Sequence, residues 1–83
     1  MIKAFEVTVL KAEAGYTGWI EEIPGAIGEG DTIEELEEDM KDAAVGMLDY
    51  YSRHGGVPKR KREATLAEPG EVITKMMIKV DVP

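Results

Sequence analysis

The chain has no cysteine, and among its 83 residues there is one phenylalanine, one tryptophan and one histidine. Without cysteine, neither a disulfide nor a thiolate metal site can support the fold. A domain this short buries only roughly 60% of the surface that its unfolded chain exposes, so its stability is marginal. Self-association is the usual remaining support, and we expect a homodimer or a tetramer.

Long apolar runs and an excess of positive charge are also missing. No stretch approaches the 18 consecutive apolar residues of a membrane span, and the start of the chain lacks the pattern of a signal peptide. We therefore expect a cytoplasmic protein without a membrane partner. The net charge of −7 opposes general attraction to nucleic-acid phosphates and favours a basic partner, although it also serves solubility.

The first third of the chain carries the two-residue alternation of β-strands. The segments IKAFEVTVLK (2–11) and GYTGWIEEI (15–23) alternate apolar and polar side chains, and the short link between them predicts a hairpin. Pro24 and Gly25 suit the two central positions of a type II turn, which returns the chain into AIGEG (26–30). We expect a three-stranded antiparallel meander.

A helix follows the meander. Thr32 as N-cap, with Glu35 three positions later, forms a capping box, and Gly55 and Gly56 end the helix. Carboxylates near its N-terminus complement the helix dipole, so much of this acidity has a structural reason. One face carries an apolar stripe at three- and four-residue steps, formed by Ile33, Leu36, Met40, Ala43, Ala44, Met47, Leu48 and Tyr51.

The segment EVITKMMIKVDV (71–82) alternates again and predicts a fourth strand. We expect an α+β fold of the order β-β-β-α-β, with the last strand beside the first in a 3-2-1-4 sheet and parallel to it after the helical crossover. The helix should cover one face of the sheet, which carries Phe5, Val7, Val9, Tyr16, Ile20, Met76, Ile78 and Val80.

The segment PGAIGEGDTIEEL, preceded by a tyrosine-bearing strand, resembles the HicB-like antitoxin family. That family's core reads as a strand with tyrosine, Leu-Pro-Gly, a small residue, then Gly-Asp-Thr and an acidic helix start. Ile23 stands here for the usual leucine, and Ala26 for a frequent cysteine. The corresponding positions are Tyr16, Ile23, Pro24, Gly25, Ala26, Gly30, Asp31, Thr32, Glu34 and Glu35.

The resemblance implies a truncated ribonuclease-H-like fold and an antitoxin that neutralises a small, basic, RNA-cleaving toxin. Together with the acidic balance, it points to a partner-binding site at the helix start, formed by Asp31, Glu34, Glu35 and Glu38. Many family members continue into an operator-binding module. We expect residues 1–83 to form one domain without a separate DNA-binding domain. The alternative is an orphan self-assembling domain with a structural or small-ligand role.

Several features argue against an enzyme. The carboxylates of the helix lie opposite its apolar stripe and face water, whereas ribonuclease-H chemistry needs carboxylates converging on two metal ions. His54 lies at the helix end, where a cation has an ordinary stabilising role, and no nucleophilic triad can be assembled around it. GAIGEG lacks the Gly-Lys-Ser/Thr ending of a phosphate loop. We expect no catalytic residue, metal or cofactor.

Two surface features remain. Residues 55–71 are long for a connection and hold the basic run Lys59, Arg60, Lys61 and Arg62. The run suits nucleic acid, pairing with the acidic helix face of another subunit or with a partner, or simple solubility. The sheet face away from the helix should carry apolar side chains that one helix cannot cover. We expect an oligomer interface there, formed by Leu10, Trp19, Ile73 and Met77.

Overall fold

The structure is a computed structural model and describes residues 1–58 and 72–82, apart from the side chains of residues 72 and 73. The predicted α+β class and the strand order β3-β2-β1-β4 are confirmed. The basic run of residues 59–62 lies outside the described residues. The elements are β1 (Ile2–Ala12), β2 (Gly15–Trp19), β3 (Ile27–Gly30), α1 (Ile33–Arg53) and β4 (Val72–Asp81).

The predicted direction of β4 is wrong. β4 pairs with β1 antiparallel, from Leu10 opposite Val72 to Ile2 opposite Asp81, with one irregularity after Val9. The reason is that α1 ends beside the β2–β3 turn, whereas β4 begins at the other end of the sheet. The end of α1 and the start of β4 therefore lie at opposite ends of the sheet.

The predicted core face is confirmed. Phe5 lies opposite Ile78, and Val9 lies opposite Gly18, so the register places the apolar set of each strand on the side of α1. Tyr16 and Met76 are partly buried against this core. The fully buried apolar residues are Phe5, Val7, Val9, Ile20, Ile23, Ala26, Leu36, Met40, Ala44, Ile78 and Val80.

One of the two hydrogen bonds of the predicted capping box is present at the start of α1, and the other has a different donor. The Glu35 amide donates to Thr32 Oγ1 over 3.1 Å, the expected half of a capping box. Glu35 Oε1, however, accepts from the amide of Asp31 over 3.0 Å and not from that of Thr32. The glutamate therefore ties the residue before the cap to the first helical turn.

The end of α1 is joined to the β2–β3 turn. Gly25 has a φ of 92°, and the Ala26 amide donates to the Ile23 carbonyl over 3.0 Å, as a type II turn requires. Tyr51 Oη donates to the Pro24 carbonyl over 2.7 Å. This bond holds the end of α1 against the β2–β3 turn, at the end of the sheet opposite the β1–β2 hairpin.

Glycines of β3 allow α1 to lie very close to the sheet. A Cβ on Gly30 would lie 2.5 Å from Leu36 N, and one on Gly28 would lie 2.9 Å from Met40 Sδ. At Gly30 the neighbour is helix backbone, which cannot move aside, so this position needs glycine for packing. At Gly28 the atoms below 3.0 Å are the side-chain ends of Asp39 and Met40, which can shift. The segment GAIGEG is therefore part of the helix–sheet contact.

Two glycine substitutions should change stability in opposite directions. Gly30→Ala should lower the free energy of unfolding by about 2 kcal/mol or more, because its methyl group meets the helix backbone. Gly46 lies inside α1, and a methyl group added there would meet no neighbouring atom within 4 Å. Gly46→Ala should therefore raise stability by about 0.5–1 kcal/mol through helix propensity.

Urea unfolding monitored by circular dichroism measures both changes on the same scale. If Gly30→Ala proved as stable as the parent protein, the close contact between β3 and α1 would be wrong.

Candidate partner-binding surface

Carboxylates gather where the helix start lies along β3. β3 is an edge strand of the sheet. α1 packs over it, with Leu36 beside Gly30 and Met40 beside Gly28. Positions 35, 38, 39 and 42 recur at three- and four-residue steps and therefore share one side of α1. They border an open depression of about 460 Å³, here called the acidic surface, lined by Glu29, Gly30, Glu35, Glu38, Asp39 and Asp42.

Two of these carboxylates also hold the fold together. Asp39 Oδ2 accepts from the Glu29 amide over 2.9 Å, which satisfies a backbone donor on the outer side of the edge strand. Glu35 Oε1 accepts from the Asp31 amide. For Glu38 and Asp42, the described part of the chain provides no side-chain hydrogen bond or ion pair, so both are available to a partner.

Among the described residues, no cation pairs with the acidic surface. Within residues 1–58 and 72–82, ion pairs join Lys41 to Glu37, Arg53 to Asp49 and Lys75 to Glu6, and none involves a carboxylate of the acidic surface. A surface of one sign without counter-charges attracts cationic groups over a distance of about 8–10 Å at physiological ionic strength. This property suits recognition of a basic molecule.

The predicted partner-binding residues are only partly brought together. Glu35 and Glu38 line the acidic surface, whereas Asp31 and Glu34 are exposed at the helix start without lining it. Sequence reasoning missed Glu29, Asp39 and Asp42. The last two follow Glu35 and Glu38 by four residues, and this spacing could have identified them.

Three of the predicted oligomer residues, Leu10, Trp19 and Met77, lie on the sheet face away from α1. Leu10 and Trp19 are partly exposed there, and Met77 is 60% exposed. Ile73 falls outside the described side chains. Their involvement in an interface stays a prediction.

The described residues contain neither a metal-binding cluster nor a membrane span. Across residues 1–58 and 72–82, no three histidine, cysteine, aspartate or glutamate side chains are grouped so that they could hold a metal ion. No helix in the described chain combines the length and the apolar character needed to cross a membrane.

Solved structures of HicB antitoxins share this fold. The N-terminal domain of the Burkholderia pseudomallei antitoxin HicB is 24% identical, with 98% of this chain and 99% of that chain covered and a TM-score of 0.63. A chain from a HicA3 and HicB3 toxin–antitoxin complex is 12% identical, with 98% and 99% covered and a TM-score of 0.62. Both comparisons extend over the whole β-β-β-α-β arrangement.

The Burkholderia pseudomallei antitoxin HicB itself matches with 24% identity and a TM-score of 0.62, covering 96% of this chain and 63% of that one. This chain thus spans somewhat less than two thirds of that antitoxin. No protein-family model and no curated protein matches the sequence. The HicB-like fold implied by the sequence resemblance is confirmed.

Asp39 should contribute to stability as well as to surface charge. Asp39→Ala removes the acceptor of the Glu29 amide and should lower the free energy of unfolding by about 1 kcal/mol. Glu38→Ala is the matched control, because it removes a neighbouring carboxylate without a described hydrogen bond and should change stability by less than about 0.5 kcal/mol.

Denaturant unfolding of the two variants side by side provides the measurement, and amide exchange at Glu29 should accelerate only in Asp39→Ala. Equal stabilities of the two variants would show that the Asp39 bond does not support the edge strand.

Proposed function

We propose that this chain is an antitoxin-like protein-binding module, and that its acidic surface receives a small basic toxin that cleaves RNA. The observation that carries the proposal is the location beside the helix start of carboxylates that pair with no described cation, on a domain with the HicB-like fold. The proposed contact residues are Asp31, Glu34, Glu35 and Glu38, extended by Asp42.

The fold likeness supports this function. One of the structures that resemble this chain is a complex of HicA3 and HicB3, a toxin and an antitoxin. A binding module of this kind needs a rigid frame and a charged surface. α1 supplies both, because its apolar side is held in the core by Leu36 and Met40 while its other side carries the carboxylates.

Charge gives a physical mechanism of neutralisation. A protein that cleaves RNA binds phosphates through lysine and arginine side chains. Carboxylates presented on a rigid helix can pair with the same cations, so the module would occupy the surface that RNA needs. Glu38 and Asp42 suit this role best, because no described bond holds their oxygens.

Opposite charges would also accelerate the encounter. Long-range attraction between a basic toxin and the acidic surface raises the association rate, and the effect falls as salt screens it. The same attraction disfavours acidic partners and nucleic acid at this surface. The proposed partner is therefore a cationic protein.

The first experiment identifies the partner. The full chain, tagged and expressed in its native host, is purified at low salt, and co-purifying proteins are identified by mass spectrometry. A small basic protein should be recovered, should degrade RNA when purified alone, and should lose this activity when the chain is added at equal molar ratio. Recovery of the chain alone, or undiminished RNA cleavage, would contradict the proposal.

The second experiment tests the surface. Glu38→Lys combined with Asp42→Lys should slow association with that toxin roughly tenfold at low salt and flatten its salt dependence, because steering charges are reversed. Stopped-flow or surface-based kinetics at several salt concentrations measure both quantities.

Glu21→Lys combined with Glu22→Lys is the matched control, since it makes the same change of net charge at exposed positions of the β2–β3 turn. If both double variants slowed association equally, net charge and not the acidic surface would control binding.

A further inference from the structure

The sheet face opposite α1, here called the open face, has an apolar centre. The strand register places Ile27, Trp19, Thr8 and Lys75 side by side across all four strands. Ile27 is 42% exposed and Met77 is 60% exposed, whereas Thr8 is only 6% exposed between two long neighbours. No other described element packs on this face.

We propose that a second copy of this chain covers the open face, in a two-fold dimer whose axis runs parallel to the strands. The proposal goes beyond the antitoxin-like function and does not rest on it. Both α1 helices remain on the outside of such a dimer, so the α1 carboxylates of each acidic surface stay accessible, whereas Glu29 lies at the interface.

The size of the face fits a second copy. The four strands have 11, 5, 4 and 10 residues. At about 3.3 Å per residue and about 4.8 Å between strands, the open face has a footprint of roughly 500 Å², to which side-chain relief adds, on the scale of the roughly 800 Å² per partner of a standard protein interface. Two sheets pack face to face at about 10 Å, the distance that interdigitating side chains such as Trp19 and Met77 fill.

Charge decides the direction of the axis. On the open face, Glu29 lies on the edge strand β3, whereas Lys75 and Lys79 lie on the other edge strand, β4. An axis parallel to the strands lays β3 of one copy over β4 of the other. An axis across the strands would instead lay β4 over β4 and bring lysines together.

The register then places particular side chains in contact. Lys75 is level with Thr8, Trp19 and Ile27, and Glu29 is two residues further along β3. Lys75 of one copy therefore lies within side-chain reach of Glu29 of the other, twice per dimer. The same axis lays β2 over β1, so that each Trp19 faces β1 of the second copy.

The first test is the oligomeric state. Sedimentation equilibrium of the full chain should give twice its mass of 9.1 kDa at micromolar concentration. Trp19→Ala should raise the dimer dissociation constant roughly tenfold or more, the loss expected for a central aromatic anchor. Tyr50→Ala is the matched control, because it removes a 50% exposed aromatic side chain from α1 and should leave the dimer unchanged.

A monomeric wild type would overturn the proposal and would assign the open face to a different occupant. A dimer that tolerates Trp19→Ala would overturn it as well, because the contact would then lie elsewhere, for example along the β4 edge. Thermal unfolding of each variant shows whether the monomer fold is kept.

The second test reverses the charges of Glu29 and Lys75 and leaves the buried core residues unchanged. Glu29→Lys and Lys75→Glu should each weaken the dimer roughly two- to tenfold, because each variant alone brings like charges together twice. When the two variants are mixed, both inter-copy pairs in the heterodimer have opposite signs. The mixture should therefore regain the wild-type dissociation constant.

A mixture that associates no better than its components would reject the proposed axis. Lys75 Nζ lies 3.7 Å from Glu6 Oε1 within the chain, so the stability of Lys75→Glu is measured in parallel. An unfolded Lys75→Glu variant is replaced by Lys75→Gln, which should weaken the dimer less than reversal. Mixed with Glu29→Lys, it should associate more tightly than the average of the two variants alone, because one of the two inter-copy pairs then joins Lys75 to Glu29.

Discussion

The close approach of α1 to the edge strand β3 governs the rest of the architecture. The first turn of the helix rests against Gly30, where a Cβ would lie 2.5 Å from Leu36 N, and the second turn rests against Gly28. This approach lets Leu36 and Met40 reach the sheet and become fully buried. Protein cores tolerate little empty space, so a side chain at Gly30 would separate the two layers and expose the core.

The same contact places the charged surface. Because α1 lies directly over β3, Asp39 reaches the Glu29 amide and satisfies the edge strand. The neighbouring carboxylates then lie beside this edge with no described cation against them. The position of α1 over β3 therefore both protects one edge of the sheet and gathers negative charge. The sheet face away from α1 carries no helix among the described residues.

Much of the fold could be predicted from local patterns. Alternation along β1 and β2 indicated the correct core face, since a slip of one residue would turn Phe5 and Val7 to the opposite side. The Pro24–Gly25 turn and the Thr32 cap were also predicted, because their bonds lie within a few residues. The direction of β4 was not, since it depends on the ends of the sheet at which α1 ends and β4 begins. The length of residues 55–71 was the available signal.

Residue pattern was sufficient to specify the elements, their apolar faces and the presence of acidic residues at the helix start. These properties follow from periodicity and from contacts between near neighbours in the chain. Packing of the folded chain selects which carboxylates share a surface, because Glu29 meets Asp39 through the contact of a strand with a helix. Backbone amides hold Glu35 and Asp39, whereas Glu38 and Asp42 have no described bond, a distinction that requires three-dimensional contacts and cannot be read from residue type.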